Sequence, residues 1–542
     1  MTATTITPTR EARVWTTRLC AALAGLLAAA LALGVGDLFA GLFRDAQLPR
    51  DAVGAEFIDH TPTWLKNFAV EQFGTNDKVA LRAGMLVVIG LLGLALGVIA
   101  WRRRWIGVLG FGAFGFIGAV VAVRRPTGHA IDAFAPMVGA VAGIIALLVL
   151  LDRLQLHPEA TSGATYAAHE SWSERLRATL GTTERKAAID RRGFFMVSGV
   201  VAVGAAAAGG AGKWLKQRFD VSASRAKVVL PAPASAAGAT PAGVQSPVEG
   251  VSRFVTPNAD FYRIDTALTV PQVPAETWRL KVHGLVDREL EIDFEDLLRR
   301  RAIEREVTLT CVSNEVGGKL VGNARWLGVP LADVLDEAGV QAGADQLKST
   351  SVDGWTSGTP VAAIMDGRDA MLAYAMNGEP LPTEHGFPVR MVVPGLYGFV
   401  SATKWVVDLE LTTFAEFDAY WARRGWARQA PIKTQSRIDA PKPLARVAAG
   451  PIGVGGVAWA QHRGISAVEV RVDEGEWHPA DLATERTIDT WRQWSWTWDA
   501  TPGNHKLEVR ATDADGNVQP EERVAPIPDG ATGWHSVVVR VT

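Results

Sequence analysis

Cysteine is nearly absent from the sequence, which has only Cys20 and Cys311 among 542 residues. Two distant thiols exclude a disulfide framework, and neither has a second cysteine at the spacing of a C-x-x-C-H haem-attachment motif. Iron–sulfur clusters and structural zinc sites need several such ligands and are disfavoured for the same reason. Cys311 is therefore either an inert thiol in the core or a single thiolate ligand of a soft or high-valent transition metal.

An excess of charge of one sign is also missing. Lys and Arg number 55 against 57 Asp and Glu, which gives a formal net charge of −2, and 21% of the residues are charged. A nucleic-acid-binding protein would show a basic stripe or patch, so we expect no nucleic-acid partner. At 542 residues the chain is also too long for one hydrophobic core, and several domains are expected.

Long apolar runs dominate the first part of the chain. Four of them are almost free of charge, and a fifth is weaker and rich in Ala, Gly and Val. The runs cover residues 14–43, 79–101, 106–123, 131–151 and 194–211. About 18 apolar residues suffice to cross the hydrocarbon core of a membrane, so residues 1–212 are predicted to form a transmembrane helical bundle of about five spans. The alternative, buried helices of a soluble protein, would have to hide all of these runs in one fold.

Basic residues beside the spans predict their orientation, because short loops rich in Lys and Arg stay in the cytoplasm. Arginines precede the first span, and the segment 152–192 before the fifth span is long and basic. Both are expected inside, although Arg124 and Arg125 then fall outside and break the rule once. The fifth span delivers everything after Gly212 to the outer face, which predicts a multi-pass protein of the cell membrane.

The fifth run has a signal of its own. The sequence DRRGFF, residues 190–195, precedes it and resembles a twin-arginine export signal placed inside the chain. Such export would suit a domain that folds around a cofactor before it crosses the membrane; the alternative is that the two arginines only anchor the span on the inner side. No span carries a histidine pair suited to haem, since His129 stands alone at a span edge. The membrane part is therefore expected to be an anchor or a docking surface.

After the last span the composition becomes that of a soluble protein. Residues 213–250 are rich in Pro, Ala and Gly and are predicted to form an extended linker. Residues 251–430 mix short strands with helices. Two of these helices are predicted over residues 294–301, with Asp293 as N-cap, and over residues 330–340, with Pro330 near its start and Gly339 at its end. This mixture suggests an α+β domain.

The helical patterns disappear in residues 431–542. Alternating strands joined by Asp/Gly turns predict an immunoglobulin-like β-sandwich there. Trp494, Trp496 and Trp498 share one strand face through their spacing of two, and we expect them to pack in the core or at an interface. The alternative is that they form, together with Trp491, a row that stacks on a ligand.

Two segments carry a resemblance to a known family. Cys311 lies in TLTCVSNEVGGKLVGNARWLGVPLADVL, at the end of a predicted strand, and residues 371–405 read MLAYAMNGEPLPTEHGFPVRMVVPGLYGFVSATKW. They resemble the cysteine loop and the second characteristic segment of the sulfite oxidase family. The resemblance covers roughly residues 257–412, and the C-terminal sandwich matches the family's dimerisation domain. It implies a sulfite-oxidase-type molybdopterin-binding domain, a molybdenum–molybdopterin cofactor and a possible homodimer through the C-terminal domain.

The resemblance also implies roles for particular positions. Cys311 would ligate molybdenum, Arg263 would hold an anion, and Trp426 would stand in the substrate pocket. The cofactor would further be bound at Asn258, Tyr262, Asp353, His385, Arg390, Ser401 and Lys404. Among these, the two cations would supply charge-assisted bonds to the pterin's phosphate, and the histidine would offer a neutral or cationic donor to the pterin ring.

Around the substrate, the sequence departs from the sulfite oxidases of this family. They carry Asn-Arg-Arg after the cysteine, where this chain has Asn314-Glu315-Val316, and a tyrosine where it has Trp426. Arg263 and Arg424 remain as candidate anion ligands. Glu315 would repel an anion if it faced the pocket, and an indole cannot lose its proton at ordinary pH. Sulfite is therefore expected to be a poor substrate.

The leading hypothesis is a membrane-anchored molybdenum–pterin oxidoreductase with an extracytoplasmic catalytic domain. It would transfer an oxygen atom in a two-electron reaction with a small-molecule substrate. The alternative within this class is an S- or N-oxide reductase rather than a sulfite-type oxidase. Because no cytochrome domain is recognisable, electron transfer is expected to use a separate redox partner, a cytochrome or a quinone-linked protein. A hypothesis of another class is a cofactor-free adhesion or interaction module on a tether.

A reporter fused after Thr542 tests the predicted topology. Five spans that start inside must end outside, so a reporter that is active only in the exported compartment is expected to work at this fusion site. A reporter that is active only in the cytoplasm, fused to the same residue, is the matched control and should stay silent. The reverse pattern would show that the five-span arrangement is wrong.

Overall fold

The computed structural model describes residues 10–43, 46, 48–61, 77–125, 129–155 and 191–542. These residues divide into two compact units. The first contains the described residues up to Asp220 together with Ala267–Thr269, and the second contains Val221–Thr266 and Val270–Thr542.

The first unit is helical. Its helices are α1 (Arg10–Gly41), α2 (Pro49–His60), α3 (Asp77–Arg102), α4 (Arg104–Arg124), α5 (Phe134–Gln155) and α6 (Arg191–Gln217), with a 3-10 turn at Ala130–Ala133 before α5. Among the described residues, five helical stretches are long and apolar enough to cross a membrane, and they coincide with the five predicted runs. This is compatible with a membrane protein. Helix α2 was not predicted, and most of the segment 152–192, including Asp190 of the twin-arginine-like sequence, lies outside the described residues.

Small residues let α1 pack closely against its neighbours. A Cβ added to Gly25 on α1 would lie 2.0 Å from the carbonyl oxygen of Gly93 on α3, and one added to Gly212 on α6 would lie 2.5 Å from the carbonyl oxygen of Asp37. Backbone-to-backbone packing through small residues is the way in which helices associate where lipid offers no hydrophobic driving force. The Ala and Gly content of these runs therefore has a structural role beyond hydropathy.

The second unit begins with short helices and four-residue to ten-residue strands around one core. The helices are α7 (Ser222–Lys227), α8 (Phe294–Arg299), α9 (Leu331–Ala338), α10 (Val361–Met365) and α11 (Gly398–Ser401), with 3-10 turns at Ala275–Thr277, Thr383–His385 and Ala422–Arg424. The longer strands of this part are β1 (Arg279–Gly284), β2 (Leu290–Asp293), β3 (Ile303–Thr310), β4 (Val321–Pro330), β5 (Gln346–Ser351), β6 (Thr356–Pro360), β7 (Met371–Met376) and β10 (Val406–Thr412). Two shorter ones are β8 (Glu379–Pro380) and β9 (Arg390–Val392).

These strands form two sheets. One has the order β2-β1-β10-β5-β6, in which only β1 and β10 run parallel, and the other has the order β3-β4-β7-β8 with β9 paired to β7. The predicted helix caps are confirmed. The Asp293 side chain accepts a hydrogen bond from the Asp296 amide at 2.8 Å at the start of α8, and Gly339 ends α9 in the left-handed conformation with φ 71°.

The predicted linker, residues 213–250, does not form one separate tether. Its first residues continue α6 to Gln217. Farther along, the Ala234 amide donates to the Ala302 carbonyl and the carbonyl of Ser235 accepts from the Glu304 amide, both at 2.9 Å. The segment also contains α7 (Ser222–Lys227), and only the residues after this helix are extended, as expected. It lies along the second unit because its backbone amides and carbonyls form hydrogen bonds with backbone groups beside β3. This part therefore belongs to the fold of the second unit.

The C-terminal residues form two facing sheets, as the alternating patterns predict. The strands are β11 (Gln435–Ala440), β12 (Arg446–Val447), β13 (Gly450–Trp459), β14 (Ile465–Val472), β15 (His478–Pro479), β16 (Asp481–Leu482), β17 (Arg492–Ala500), β18 (Gly503–Asp513) and β19 (His535–Val541). Their orders are β11-β13-β17-β16 and β12-β19-β18-β14-β15. A shared hydrophobic cluster lies between them. We refer to this part as the C-terminal sandwich.

The tryptophans of β17 pack mainly in cores. Trp494 and Trp498 are buried in the sandwich, and the partly buried Trp496 stacks on the ring of His478 with centroids 5.5 Å apart. Trp491 joins the core of the preceding α+β part, where its indole donates to the carbonyl of Phe254 at 2.9 Å. The core interpretation of these residues is thus confirmed for the buried pair, and Trp491 connects the sandwich to the rest of the second unit.

Acid should weaken the C-terminal sandwich through His535. Its Nδ1 accepts a hydrogen bond from the Ile438 amide at 3.0 Å, and burial, aided by Arg437, lowers the pKa of His535 to about 4. The fold uses the neutral ring, so this contribution to stability is complete above about pH 6.5 and is lost as the pH falls towards 4. Over that interval we expect the free energy of unfolding of the full chain to fall on the order of 2–3 kcal/mol further than that of His535→Asn. Parallel pH profiles in denaturant titrations would contradict this.

Candidate active site

An open cleft of about 920 Å³ lies in the second unit and is lined by residues from several loops. Cys311 reaches it from the first position after β3, where the chain leaves the sheet. The residues 311–320, which we call the cysteine loop, return to β4 through a compact turn. The Cys311 amide donates to the Leu320 carbonyl at 2.9 Å, and the Asn314 side chain accepts from the Leu320 amide at 2.7 Å. These bonds hold the two ends of the loop together.

The Cys311 thiol is 8% exposed within this cleft. Burial raises its pKa, and hydrogen bonding from Ser313 opposes the shift only partly. The thiol is therefore neutral on its own at ordinary pH. A metal ion at the sulfur would reverse this, because coordination stabilises the thiolate.

A buried cation lines the same cleft. Arg390, the first residue of β9, is 5% exposed, and its guanidinium lies 4.9 Å from the ring centre of Trp326. It donates to backbone carbonyls, the shortest of these bonds being 3.1 Å to His385. In the part of the chain that the structure describes, no carboxylate pairs with it, and burial lowers its pKa to about 10. A charge in this position calls for an anion from outside the chain.

Lys404 is the second cation of the cleft. An isolated backbone bridge joins it to Arg390. Its Nζ lies 2.7 Å from a carboxylate oxygen of Asp265, which also pairs with Arg263 at 2.8 Å. Burial lowers the pKa of Lys404 to about 8. Asp265 was missed by the sequence analysis, although an acid two residues after Arg263 was visible as a candidate partner.

His385 is neutral. Burial and the adjacent Arg390 lower its pKa to about 4, and its Nε2 lies 3.0 Å from the carbonyl oxygen of Asn258. A carbonyl only accepts, so Nε2 carries the single proton of the ring and Nδ1 is left as an acceptor. The ring can therefore accept a hydrogen bond from a ligand through Nδ1, whereas the sequence analysis expected a donor.

An acid and a phenol complete the polar lining. Burial raises the pKa of Asp353, whose carboxylate accepts from the Trp355 amide at 3.1 Å. Tyr262 stacks on Phe261 with ring centroids 5.2 Å apart, and burial raises its pKa well above the ordinary value. Both side chains line the cleft, as predicted.

Aromatic side chains form one wall of the cleft. The ring centroid of Trp426 lies 5.9 Å from that of Phe399 and 6.1 Å from that of Trp421. Trp355 also belongs to the lining. Only Trp426 was singled out from the sequence. The other three come from separate loops, and no local pattern shows that they meet.

Three predicted site residues do not line the cleft. The Asn258 side chain donates to Glu379, and only its backbone supports His385. Arg263 turns its guanidinium to Asp265. Ser401 is fully buried, and its hydroxyl donates to the carbonyls of Leu396 and Tyr397, both at 3.0 Å. Their own neighbours already satisfy these polar groups, so they act as support for the site.

Two other residues that were expected to affect anion binding also lie elsewhere. Glu315 is exposed on the cysteine loop and is not part of the cleft lining, so it does not repel a bound anion there. Arg424 lies 3.6 Å from the ring centre of Tyr420 and donates to its carbonyl at 2.8 Å. Neither changes the charge of the cleft wall directly.

The residues of the cleft fit a molybdenum–pterin cofactor. A single thiol suits one protein ligand to the metal, and two buried cations suit an anionic phosphate. A neutral histidine with a free acceptor nitrogen suits a ring that donates hydrogen bonds. The uncompensated Arg390 is the sharpest of these observations, since it requires a negative group that the described residues do not supply.

Comparison with known proteins agrees with this chemistry. Residues 267–421 match the family model described as oxidoreductase molybdopterin binding domain. The sulfite oxidase of Gallus gallus is 32% identical over 353 residues, which cover 54% of this chain and 75% of that protein. The chain belongs to the sulfite oxidase family. It is accordingly a molybdopterin-dependent oxidoreductase, and the hypothesis of a cofactor-free adhesion module is not supported.

One further member and one solved structure are also similar to part of this chain. Mitochondrial sulfite oxidase of Mus musculus is 32% identical over 342 residues, which cover 53% of this chain and 62% of that protein. The chain thus spans about three fifths of the length of this mammalian family member. The crystal structure of the sulfane dehydrogenase SoxCD from Paracoccus pantotrophus aligns with a TM-score of 0.48 at 26% identity, over 55% of this chain and 86% of that chain.

Replacing Cys311 by serine tests its place in this site. Outer contacts of a metal site are typically worth 10–100-fold in metal affinity or activity, so loss of the ligand itself should lower activity by at least about 100-fold. The melting temperature should change little, because the hydroxyl fits the same space. Cys20→Ser, at the other cysteine, is the matched control and should keep both molybdenum and activity. Full activity in Cys311→Ser would show that Cys311 is not the metal ligand.

Proposed function

We propose that this chain is a membrane-anchored molybdenum–pterin oxidoreductase that transfers an oxygen atom on the extracytoplasmic face of the cell membrane. The observation that carries the proposal is the meeting of the Cys311 thiol with the buried Arg390 and the half-buried Lys404 in one cleft of a sulfite oxidase family member. The five apolar helices support the membrane anchor, and the basic segments beside them support the orientation.

Different residues of the chain would bind different parts of the cofactor. Cys311 would ligate the metal, while Arg390 and Lys404 would bind the phosphate through charge-assisted hydrogen bonds. His385 would accept a hydrogen bond from the pterin through Nδ1, and its Nε2 bond to Asn258 keeps the ring oriented. When bound, the cofactor supplies two-electron oxygen-atom exchange. The protein contributes binding, orientation and electrostatics.

The cleft offers little to a small dianion such as sulfite. Arg390 and Lys404 are assigned to the cofactor, Arg263 pairs with Asp265, and Arg424 bonds to Tyr420. A desolvated anion without a positive partner is costly. Among the described lining residues, no further arginine or lysine faces the cleft. Sulfite-type oxidation is therefore the less favoured activity.

The aromatic wall favours a neutral organic substrate. Trp426 with Phe399 and Trp421 presents an apolar surface whose ring faces can pack against a carbon-bearing group. The indole N–H of Trp426 can donate one hydrogen bond but cannot act as an acid at ordinary pH. We propose an S- or N-oxide, or the corresponding organic sulfur compound in the oxidative direction, as the substrate class.

The proposed partners are a separate redox protein and a second copy of this chain. Electrons would come from or go to a separate cytochrome or quinone-linked protein, because one metal–pterin centre cannot complete the cycle alone. The C-terminal sandwich, which we interpret as an immunoglobulin-like domain, would make the contact of a homodimer. If removal of the residues after Lys433 leaves the number of chains per particle unchanged, that result would argue against the dimer.

Substrate preference can be measured with viologen dye as electron donor or acceptor. We expect kcat/KM for sulfite to be at least about tenfold below that for the best neutral sulfoxide or amine oxide, because tenfold corresponds to only about 1.4 kcal/mol of binding and the cleft lacks a cation for the substrate. Trp426→Phe keeps the apolar wall and serves as the matched control for Trp426→Ala, which should lose the neutral substrate. Sulfite outperforming every neutral oxide, with a low KM, would overturn this part of the proposal.

A further inference from the structure

We propose that the C-terminal sandwich positions the cysteine loop, and that Arg437 and His535 are the residues through which it does so. The proposal rests on the proposed role of Cys311 as the metal ligand. Both residues belong to the sandwich, on β11 and β19, and both contact the Gly317-Gly318 turn of the loop. Neither lines the cleft, so each would act through the loop rather than on the substrate.

Arg437 donates a hydrogen bond to the backbone of the turn. Its Nη1 donates to the carbonyl of Gly318 at 2.7 Å, its Nε to Asp439 at 2.7 Å, and its Nη2 to the hydroxyl of Ser252 at 3.0 Å. The residue is 7% exposed. Three acceptors in three directions fix the plane of a guanidinium, which a lysine could not reproduce. The position of the Gly318 carbonyl is therefore tied to the sandwich.

The ring of His535 packs against Gly317 in the same turn. A Cβ on Gly317 would lie 2.1 Å from Cδ2 and 2.3 Å from Nε2 of the imidazole, and Gly317 itself has φ +77°. The ring is held in turn, since its Nδ1 accepts from the amide of Ile438. Ile438 follows Arg437 directly on β11, so one strand supports both contacts. Glycine is needed at this position for its conformation and for the missing side chain.

The strand that leads into Cys311 is also connected to the sandwich. Gln461 donates to the carbonyl of Thr308 at 3.0 Å and to the hydroxyl of Thr310 at 2.9 Å. Gln461 is fully buried. The cysteine thus lies between two backbone segments that both take hydrogen bonds from the C-terminal sandwich. Hydrogen bonds that orient a metal ligand are part of what sets the affinity and properties of a metal site.

These contacts are more specific than simple adhesion between two parts of a fold would need. An adhesive contact buries apolar surface and tolerates small shifts. Here a buried charged donor and a fixed ring meet the backbone of the loop that carries the ligand, seven and six residues after Cys311. A shift of the turn would move the sulfur, because the Leu320 carbonyl accepts from the Cys311 amide and the Leu320 amide donates to Asn314, which makes the loop compact.

The experiment uses the full chain in detergent with Cys20→Ser, so that Cys311 is the single thiol. Arg437→Gln is compared with Arg471→Gln, which removes a similar ion pair with Glu508, at 2.7 Å, elsewhere in the sandwich. Three quantities are measured: molybdenum per chain, the electron paramagnetic resonance spectrum of the half-reduced metal, and the rate at which a water-soluble maleimide modifies Cys311 in chain prepared without molybdenum. Melting temperatures show whether each variant is folded.

We expect Arg437→Gln to speed modification of Cys311 at least about tenfold, to shift the resonance spectrum and to lower molybdenum content by 10–100-fold, while Arg471→Gln matches the parent in all three. Gly317→Ala should have the same effects, because its methyl group would meet the His535 ring and alanine is strained at φ +77°. A folded Arg437→Gln that matches Arg471→Gln in all three measurements would overturn the proposal. If the parent binds no molybdenum, the proposed function fails, and the maleimide rates still decide this inference.

Discussion

The burial of one guanidinium without a carboxylate partner constrains the rest of the active site. Arg390 lies on a three-residue strand under Trp326 and gives its N–H groups to backbone carbonyls. Carbonyl oxygens satisfy hydrogen bonds but do not neutralise the charge, and an uncompensated buried charge is among the most costly features that a fold can carry. The neighbouring groups are arranged accordingly: His385 is kept neutral and Lys404 is balanced by Asp265. Arg390 is thus left without a carboxylate partner, and Nδ1 of His385 is left as an acceptor, which is the state expected of a site for an anionic cofactor.

Sequence reasoning located the elements of this fold well where the determining forces are local. The apolar runs, the Asp293 cap and the left-handed Gly339 each follow from a few adjacent residues, and the structure has them as expected. The side chains of Cys311, Arg390 and Lys404 meet in one cleft because each lies at the end or edge of a strand. The sequence resemblance named these residues, and strand geometry explains why they converge.

What could not be read from the sequence depends on contacts between distant segments. Arg263 pairs with Asp265, and Ser401 bonds to its own turn, so their polar groups are used before any ligand arrives. The aromatic wall joins Trp355, Phe399 and Trp421 from loops that no periodicity relates. The predicted linker is part of the fold because its amides and carbonyls form backbone hydrogen bonds beside β3. In each case the outcome depends on which neighbour competes for a polar group or a surface, and composition alone does not contain that information.

The raised pKa of Cys311 affects how easily this thiol is oxidised before a metal is bound. The thiolate is the form that oxidants attack, so a buried, protonated thiol is slow to enter the ladder from sulfenic to sulfonic acid. Cys20 belongs to the helical unit, which leaves the second unit without a second cysteine for a wrong disulfide. The same burial that makes Cys311 a poor free nucleophile would therefore protect it from oxidation until the metal of the proposed cofactor binds.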